Sequence, residues 1–144
     1  MIMKNSYKNF KKIQKPLEKL LPTFKKEEKE LTLRGFDSWH SIATLGDLDI
    51  TKLIEQGCGT SRNLNCLRCI AIFICELDLL QEEAALLMHS GISSVRALAN
   101  SSPQDLLTKI SRLEIQLMAN RSSNTDLIKI NKWIEKAKEN QKII

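Results

Sequence analysis

The feature that most constrains the fold of this chain is an internal repeat. Residues 77–110 reproduce residues 21–54 at one constant spacing and with no gap. Several aligned pairs are identical in residue type, and they occur in separate parts of the repeat; among them are Glu27 and Glu83, Gly35 and Gly91, and Ser38 and Ser94. Self-similarity at a fixed period indicates that one supersecondary unit has been copied. The chain is therefore predicted to contain two versions of the same unit.

Each copy reads as short helices joined by a glycine turn. In the second copy, apolar residues at helical spacing predict a helix over 82–89 that ends at Gly91, where a left-handed residue favours glycine. Ser93 or Ser94 is expected to cap a helix over 95–99. Ser102 and Pro103 open a third helix, since proline is well tolerated at the first helical position. Helix, glycine hairpin and helix together form the unit called helix-hairpin-helix.

The first copy predicts the same elements, with a preceding segment of its own. A short helix over 17–21 ends at Pro22, Thr23 caps a helix over 25–33, Asp37 caps 39–45, and Asp49 starts 50–56. The acidic side chains of the first helix in each copy are expected on exposed faces; these are Glu27, Glu28, Glu82 and Glu83.

Two longer helices complete the prediction. The apolar helix over 63–76 is expected to be a spine between the copies, and Asn124 or Thr125 caps a last helix that contains Trp133. The predicted fold is all-α, with pseudo-duplicated tandem helix-hairpin-helix units packed around a shared central helix. The predicted divisions are a basic N-terminal arm (1–16), a first repeat with the spine helix (17–76) and a second repeat with the C-terminal helix (77–140).

The positive charge is concentrated in the N-terminal segment. The formal net charge is +5, but residues 31–144 contain equal numbers of basic and acidic side chains. A protein-wide basic surface for nucleic acid is therefore not expected. Lys8, Lys11 and Lys12 belong to a lysine-rich arm that reads either as a frayed, solvated tail, as a phosphate-backbone contact, or as a weak contact with anionic lipid.

The loop 57–62 is the most suggestive motif for binding. It places Gly57 and Gly59 around one apolar residue and follows them with Thr60, Ser61 and Arg62 at the start of a helix. Backbone N–H groups can approach a phosphate where no Cβ intervenes, and a helix N-terminus adds a favourable dipole. The alternative is purely structural, with Gly57 ending one helix and Ser61 capping the next.

The four cysteines are interpreted as buried small hydrophobic residues. Cys66 and Cys69 form a Cys-x2-Cys pair, but they lie within an apolar helix and lack the second ligand pair that a zinc knuckle uses. No metal or cofactor is predicted. The longest apolar run is too short for a membrane span, and the N-terminus lacks the apolar segment of a secretory signal, so a cytoplasmic protein with reduced cysteines is expected.

The sequence resembles the helix-hairpin-helix family catalogued as domain of unknown function 4332, and its cyanobacterial members in particular. The resemblance extends from about residue 17 to residue 138 and is closest in the second half, through the segment 86–99 and the helix motif 130–137. It implies the helix-hairpin-helix fold and, by analogy with DNA-binding relatives, contact with phosphates. The chain departs from the family pattern where glycine hairpins precede each repeat, since 21–25 and 77–81 contain no glycine.

Three functional hypotheses follow. The first is a non-enzymatic module that contacts DNA or RNA through the arm and the loop 57–62. The second is a protein–protein interaction adaptor with no nucleic-acid role. The third, an enzyme, is the least favoured, because the sequence offers no activated nucleophile, no paired histidine and carboxylate, and no cofactor loop.

Overall fold

The regular structure of the chain is helical. A computed structural model describes residues 15–117 and 125–143, and within these ranges it contains eight α-helices and no strand. The prediction of an all-α protein is confirmed. The helices are α1 Lys25–Leu33, α2 Trp39–Ala43, α3 Asp47–Glu55, α4 Ser61–Leu77, α5 Gln81–His89, α6 Val95–Ala99, α7 Pro103–Leu117 and α8 Leu127–Ile143.

The helices are grouped into two compact units. One unit ends at Gln81 and the other begins at Glu82. In the first unit α2 and α3 pack on α4, and in the second α6 and α7 pack on α8. Each unit thus has a long helix of its own, with the large buried side chains Leu67 on α4 and Trp133 on α8. That one helix serves both copies stays a prediction.

Three turns of identical design join consecutive helices. The glycines Gly35, Gly57 and Gly91 have φ values of 87°, 78° and 98°. At Gly91 the glycine N–H donates to the carbonyl of Met88, and the next N–H, that of Ile92, donates to Leu87, both at 3.0 Å. This paired pattern ends a helix on a left-handed residue, a conformation that an added Cβ would strain.

The helix that follows each turn is capped by a hydroxyl. In each case the cap lies three residues after the glycine and accepts a hydrogen bond from the backbone N–H of the third residue of the helix. The caps are Ser38, Thr60 and Ser94. The donor–acceptor distances are 3.1 Å, 3.1 Å and 3.0 Å. One four-residue pattern therefore occurs three times: a glycine, an apolar residue, any residue, and then Ser or Thr. Asp37 and Ser61 are not the caps, and those two predictions are wrong.

The first copy differs from prediction in three further places. Thr23 is not the cap of α1, because Phe24 occupies the cap position and no side chain caps the helix. Residues 17–21 have no regular secondary structure and are not helical. The N–H of Leu17 donates to the carbonyl of Asp37 at 2.9 Å, and the N–H groups of Leu20 and Leu21 donate to side chains. Helix α3 begins at Asp47, three residues earlier than the predicted start at residue 50. Its predicted cap, Asp49, lies inside the first turn and accepts the N–H of Gly46 at 2.8 Å.

Candidate functional site

The predicted phosphate loop is a helix-to-helix turn with one exposed edge. Gly57 ends α3 in the left-handed conformation, and Thr60 caps α4. The side chains of Thr60, Ser61 and Arg62 are exposed, whereas Gly59 is half-buried. The structure therefore brings all five predicted loop residues into one turn, with the hydroxyls and the guanidinium on its solvent side.

The inner side of this turn is filled by a carboxylate from α1. Glu27 is only 2% exposed. Its Oε2 accepts the backbone N–H of Thr60 at 3.2 Å, and its Oε1 accepts the side-chain amide of Asn63 at 3.2 Å. A Cβ on Gly59 would lie 2.8 Å from the Cδ atom of Glu27, closer than any real Cβ contact. Glycine is needed at position 59 because the protein's own anion approaches there.

This contact changes what the loop offers to a ligand. A phosphate on the inner side would meet a buried negative charge in place of a free N–H group. On the outer side, the N–H groups of Ser61 and Arg62 belong to the first helical turn, which has no intrahelical acceptors. Neither N–H finds an acceptor among the described residues. The binding potential of the turn therefore lies at its outer edge, which we call the α4 edge: Thr60, Ser61 and Arg62.

The burial of Glu27 overturns its predicted exposure, and the sequence did contain a signal for it. Phe24, Glu27 and Leu31 recur at helical spacing, and Phe24 and Leu31 are both buried. A position between two core residues on one helix face is inside the core whatever its residue type. The charge is tolerated because both carboxylate oxygens accept hydrogen bonds.

The second unit repeats this arrangement with different partners. Glu83, the counterpart of Glu27, forms an ion pair with Lys129 at 3.5 Å. Lys129 is the third residue of α8, as Asn63 is the third residue of α4. The carboxylate of Asp126 accepts the N–H of Lys129 at 2.9 Å, the same capping bond that Thr60 makes. In both units the glutamate of the first helix thus contacts the first turn of the fourth.

The correspondence continues along the fourth helices. Buried residues match in order from each cap: Leu64 with Ile130, Leu67 with Trp133, and Ala71 with Ala137. The gap-free sequence comparison stops at Ile110 and misses this, because α7 is longer than α3 and shifts the spacing.

Only the last two residues of the predicted lysine-rich arm, 15 and 16, lie within the described part of the chain. Lys8, Lys11 and Lys12 lie outside the described residues. The end of the predicted arm is fixed to the body: the N–H of Trp39 donates to the carbonyl of Lys15 at 2.9 Å, and the Lys15 ammonium pairs with Asp78. Residues 15–16 therefore belong structurally to the first unit.

Two cysteines of α4, Cys69 and Cys75, lie where burial favours the protonated thiol. Cys66 and Cys69 are half-buried on α4. Burial, and secondarily the neighbouring Cys66, raises the pKa of Cys69 to about 11. Burial likewise raises the pKa of Cys75 to about 11. Thiols that hold their protons are poor nucleophiles at neutral pH. In the described ranges, no group of three or more His, Cys, Asp or Glu side chains is placed to hold a metal ion.

Comparison with known proteins identifies the family of this fold. The model of the DUF4332 family, described as a domain of unknown function, matches residues 21–140 and so includes both units. The chain belongs to the DUF4332 family. No curated protein and no solved structure matches this DUF4332 chain with significant similarity. Among its described helices, none combines the length and apolar character needed to cross a bilayer.

Proposed function

We propose that this DUF4332 protein is a non-enzymatic helix-hairpin-helix module that binds the phosphate backbone of nucleic acid through the α4 edge. The observation that carries the proposal is the combination of two first-turn N–H groups with the exposed hydroxyls and guanidinium of Thr60, Ser61 and Arg62. Donors of this kind at a helix N-terminus suit a phosphate oxygen, and Arg62 adds a charge-assisted contact.

The carboxylate of Glu27 limits where the phosphate can sit. It closes the inner approach past Gly59, so the backbone contacts the turn only from outside. The described body is close to neutral, and most of the excess lysines precede it. The expected binding is therefore weak at physiological salt, independent of base sequence, and strongly dependent on ionic strength.

The test is a salt titration of oligonucleotide binding. Binding is measured by the fluorescence anisotropy of labelled duplex and single-stranded oligonucleotides. The edge variant Ser61→Ala/Arg62→Gln is compared with Ser111→Ala/Arg112→Gln, an adjacent Ser–Arg pair on α7. The arm is tested in the full chain with Lys8→Gln/Lys11→Gln/Lys12→Gln. The edge variant should bind more weakly and lose about one unit of slope in log K against log salt concentration, as for one phosphate contact.

Two outcomes would overturn the proposal. If no oligonucleotide binds even at low salt, the nucleic-acid function is wrong. If the edge variant matches its α7 control while the arm variant abolishes binding, the α4 edge is not the contact.

A protein-interaction adaptor is the second candidate, favoured by a groove in the first unit whose lining combines apolar side chains with Lys15 and Glu18. The groove encloses about 250 Å³, and its lining includes Trp39, Ile74, Leu79 and Leu80. Leu80 is 64% exposed, a large apolar surface of the type found at interfaces. Binding to a protein partner that survives high salt and is weakened by Leu80→Gln would support this candidate. If the Leu80→Gln variant bound the protein partner as tightly as the wild type, the groove would be excluded as the binding site.

A further inference from the structure

A second candidate binding site lies in the second unit, away from the α4 edge. An open cavity of about 390 Å³ lies between the end of α6 and the last turns of α8. Its six lining residues comprise three cations, two amides and one alanine; they are Arg96, Lys138, Lys142, Asn100, Gln141 and Ala99. None of these six is acidic. A volume of this size is within the range of small-ligand pockets.

The fold forces the three cations together. Lys138 and Lys142 are four residues apart on α8, so they lie one above the other on one face and repel each other. Arg96 reaches the same cavity from α6, which packs on α8. Ala99 and Ala137 are buried, and small side chains of this kind allow helices to approach closely. The result is a convergence of like charges on a single concave surface.

Few internal anions neutralise this convergence. Lys138 is 4.0 Å from Glu135, at the limit of an ion pair and exposed to solvent. Arg96 and Lys142 form no ion pair with any described residue. Cations at helix C-termini are individually favourable because they face the negative end of the helix dipole. The helix dipole can account for the presence of each cation at its own helix end, but it does not account for three cations lining the same cavity.

The first unit serves as an internal comparison. The positions there that correspond to Arg96, Lys138 and Lys142, matched through the equivalent helices, are His40, Ile72 and Glu76. The corresponding positions of the first unit thus hold an imidazole, an apolar side chain and a carboxylate, with no lysine or arginine among them. The cationic lining is a property of the second unit and not a by-product of the helical architecture.

We propose that this cavity is a binding site for phosphate groups. Arg96 supplies a planar fork suited to two phosphate oxygens, Lys138 and Lys142 supply point charges, and the amides of Asn100 and Gln141 supply neutral donors. The cavity has room for two adjacent phosphates, as in a short polyphosphate or in consecutive backbone positions of a nucleic acid. The site shares no residue with the α4 edge and does not depend on the function proposed there.

The experiment follows backbone amide chemical shifts of the full-length protein during titration. The probes are sodium tripolyphosphate and an unlabelled single-stranded oligonucleotide, each at low and at physiological salt. The site variant Arg96→Gln/Lys138→Gln/Lys142→Gln is compared with Arg112→Gln/Lys109→Gln/Lys132→Gln. Both variants remove one arginine and two lysines, and the control residues are exposed and outside the cavity.

The proposal predicts saturable shifts at residues 96–100 and 138–142, with affinity reduced about tenfold or more in the site variant and about twofold or less in the control. Tighter binding of tripolyphosphate would assign the site to small phosphorylated ligands. Tighter binding of the oligonucleotide, with a steep salt dependence, would assign it to the nucleic-acid backbone. Equal losses in both variants, or no saturable shift around the cavity with either probe, would overturn the site. The α4-edge variants keep this cavity intact, so failure of one site does not imply failure of the other.

Discussion

The carboxylate of Glu27 lies directly against the backbone of Gly59. The two residues belong to different helical segments, and the carboxylate also accepts the N–H of Thr60 at the start of α4. A turn that resembles a phosphate-binding loop is therefore closed on its inner side by an acid of the same chain. Three glycine turns share the same backbone design. In this one a buried glutamate lies so close that a Cβ at position 59 would require the Glu27 side chain to shift.

Substitution of Gly59 tests that close approach. In Gly59→Ala the new Cβ would displace the Glu27 carboxylate. The backbone N–H of Thr60 would lose its acceptor, and the side-chain amide of Asn63 would keep only the carbonyl of Thr23. We expect a loss of unfolding free energy of about 1–3 kcal/mol, measured by urea denaturation. Gly46→Ala is the control, since a Cβ there meets Asp49 at an ordinary 3.5 Å. Equal stability of the two variants would show that the Glu27 side chain moves aside without cost.

The hydroxyl caps give a second prediction, specific to the turn design. Ser94→Ala removes the acceptor of the Ala97 N–H and should cost about 1 kcal/mol of unfolding free energy. Hydrogen exchange should rise locally over Val95–Ala99. Ser111→Ala, inside α7, makes a matched control and should change stability by less than about 0.5 kcal/mol. A Ser94→Ala variant with unchanged exchange at α6 would contradict the capping role.

The thiol of Cys69 gives a prediction about pH. Burial raises its pKa from 9.0 to about 11, so the neutral form is favoured in the folded state. The contribution of the protonated thiol to the free energy of unfolding is fully present below pH 9. It is lost as the pH rises from 9 toward 11, because the thiol of the unfolded chain ionises at a lower pH than the thiol of the folded chain. At pH 9, iodoacetamide labelling of Cys69 followed by mass spectrometry should be about tenfold slower in the native chain than in urea. Equal rates at that pH would contradict the raised pKa.

The sequence predicted those parts of the fold that depend on local chemistry. Helices α1 and α6 have the predicted bounds, and the left-handed glycines at 35 and 91 end their helices as expected. These features depend on periodicity and on the absence of a Cβ, which short segments reveal. Trp39, which aligns with Val95 of the second copy and is therefore expected in the core, is only 1% exposed.

The contacts between distant segments were beyond the sequence argument. Residues 17–21 are not helical, and the N–H groups of Leu20 and Leu21 donate to the side chains of Glu28 and Gln81, contacts that nothing local in the segment shows. Glu27 was assigned to the surface because a charged residue is usually exposed, although its spacing from Phe24 and Leu31 placed it on the buried face. The cavity near Arg96 joins α6 to the end of α8, residues that only tertiary packing brings together.

The most direct test of the account is the stability of Glu27→Gln, compared with Glu55→Gln on the exposed end of α3. The glutamine keeps the size of the side chain but replaces one acceptor oxygen by an NH2 group, which cannot accept, so that only one of the Thr60 and Asn63 donors keeps its acceptor on residue 27. Urea denaturation should show a loss of about 1–3 kcal/mol for Glu27→Gln and less than about 0.5 kcal/mol for Glu55→Gln. Hydrogen exchange should rise at the start of α4 in the first variant only. If both variants unfold at the same urea concentration as the wild type, the carboxylate does not hold the turn, and the inner side of the loop would be open to a phosphate after all.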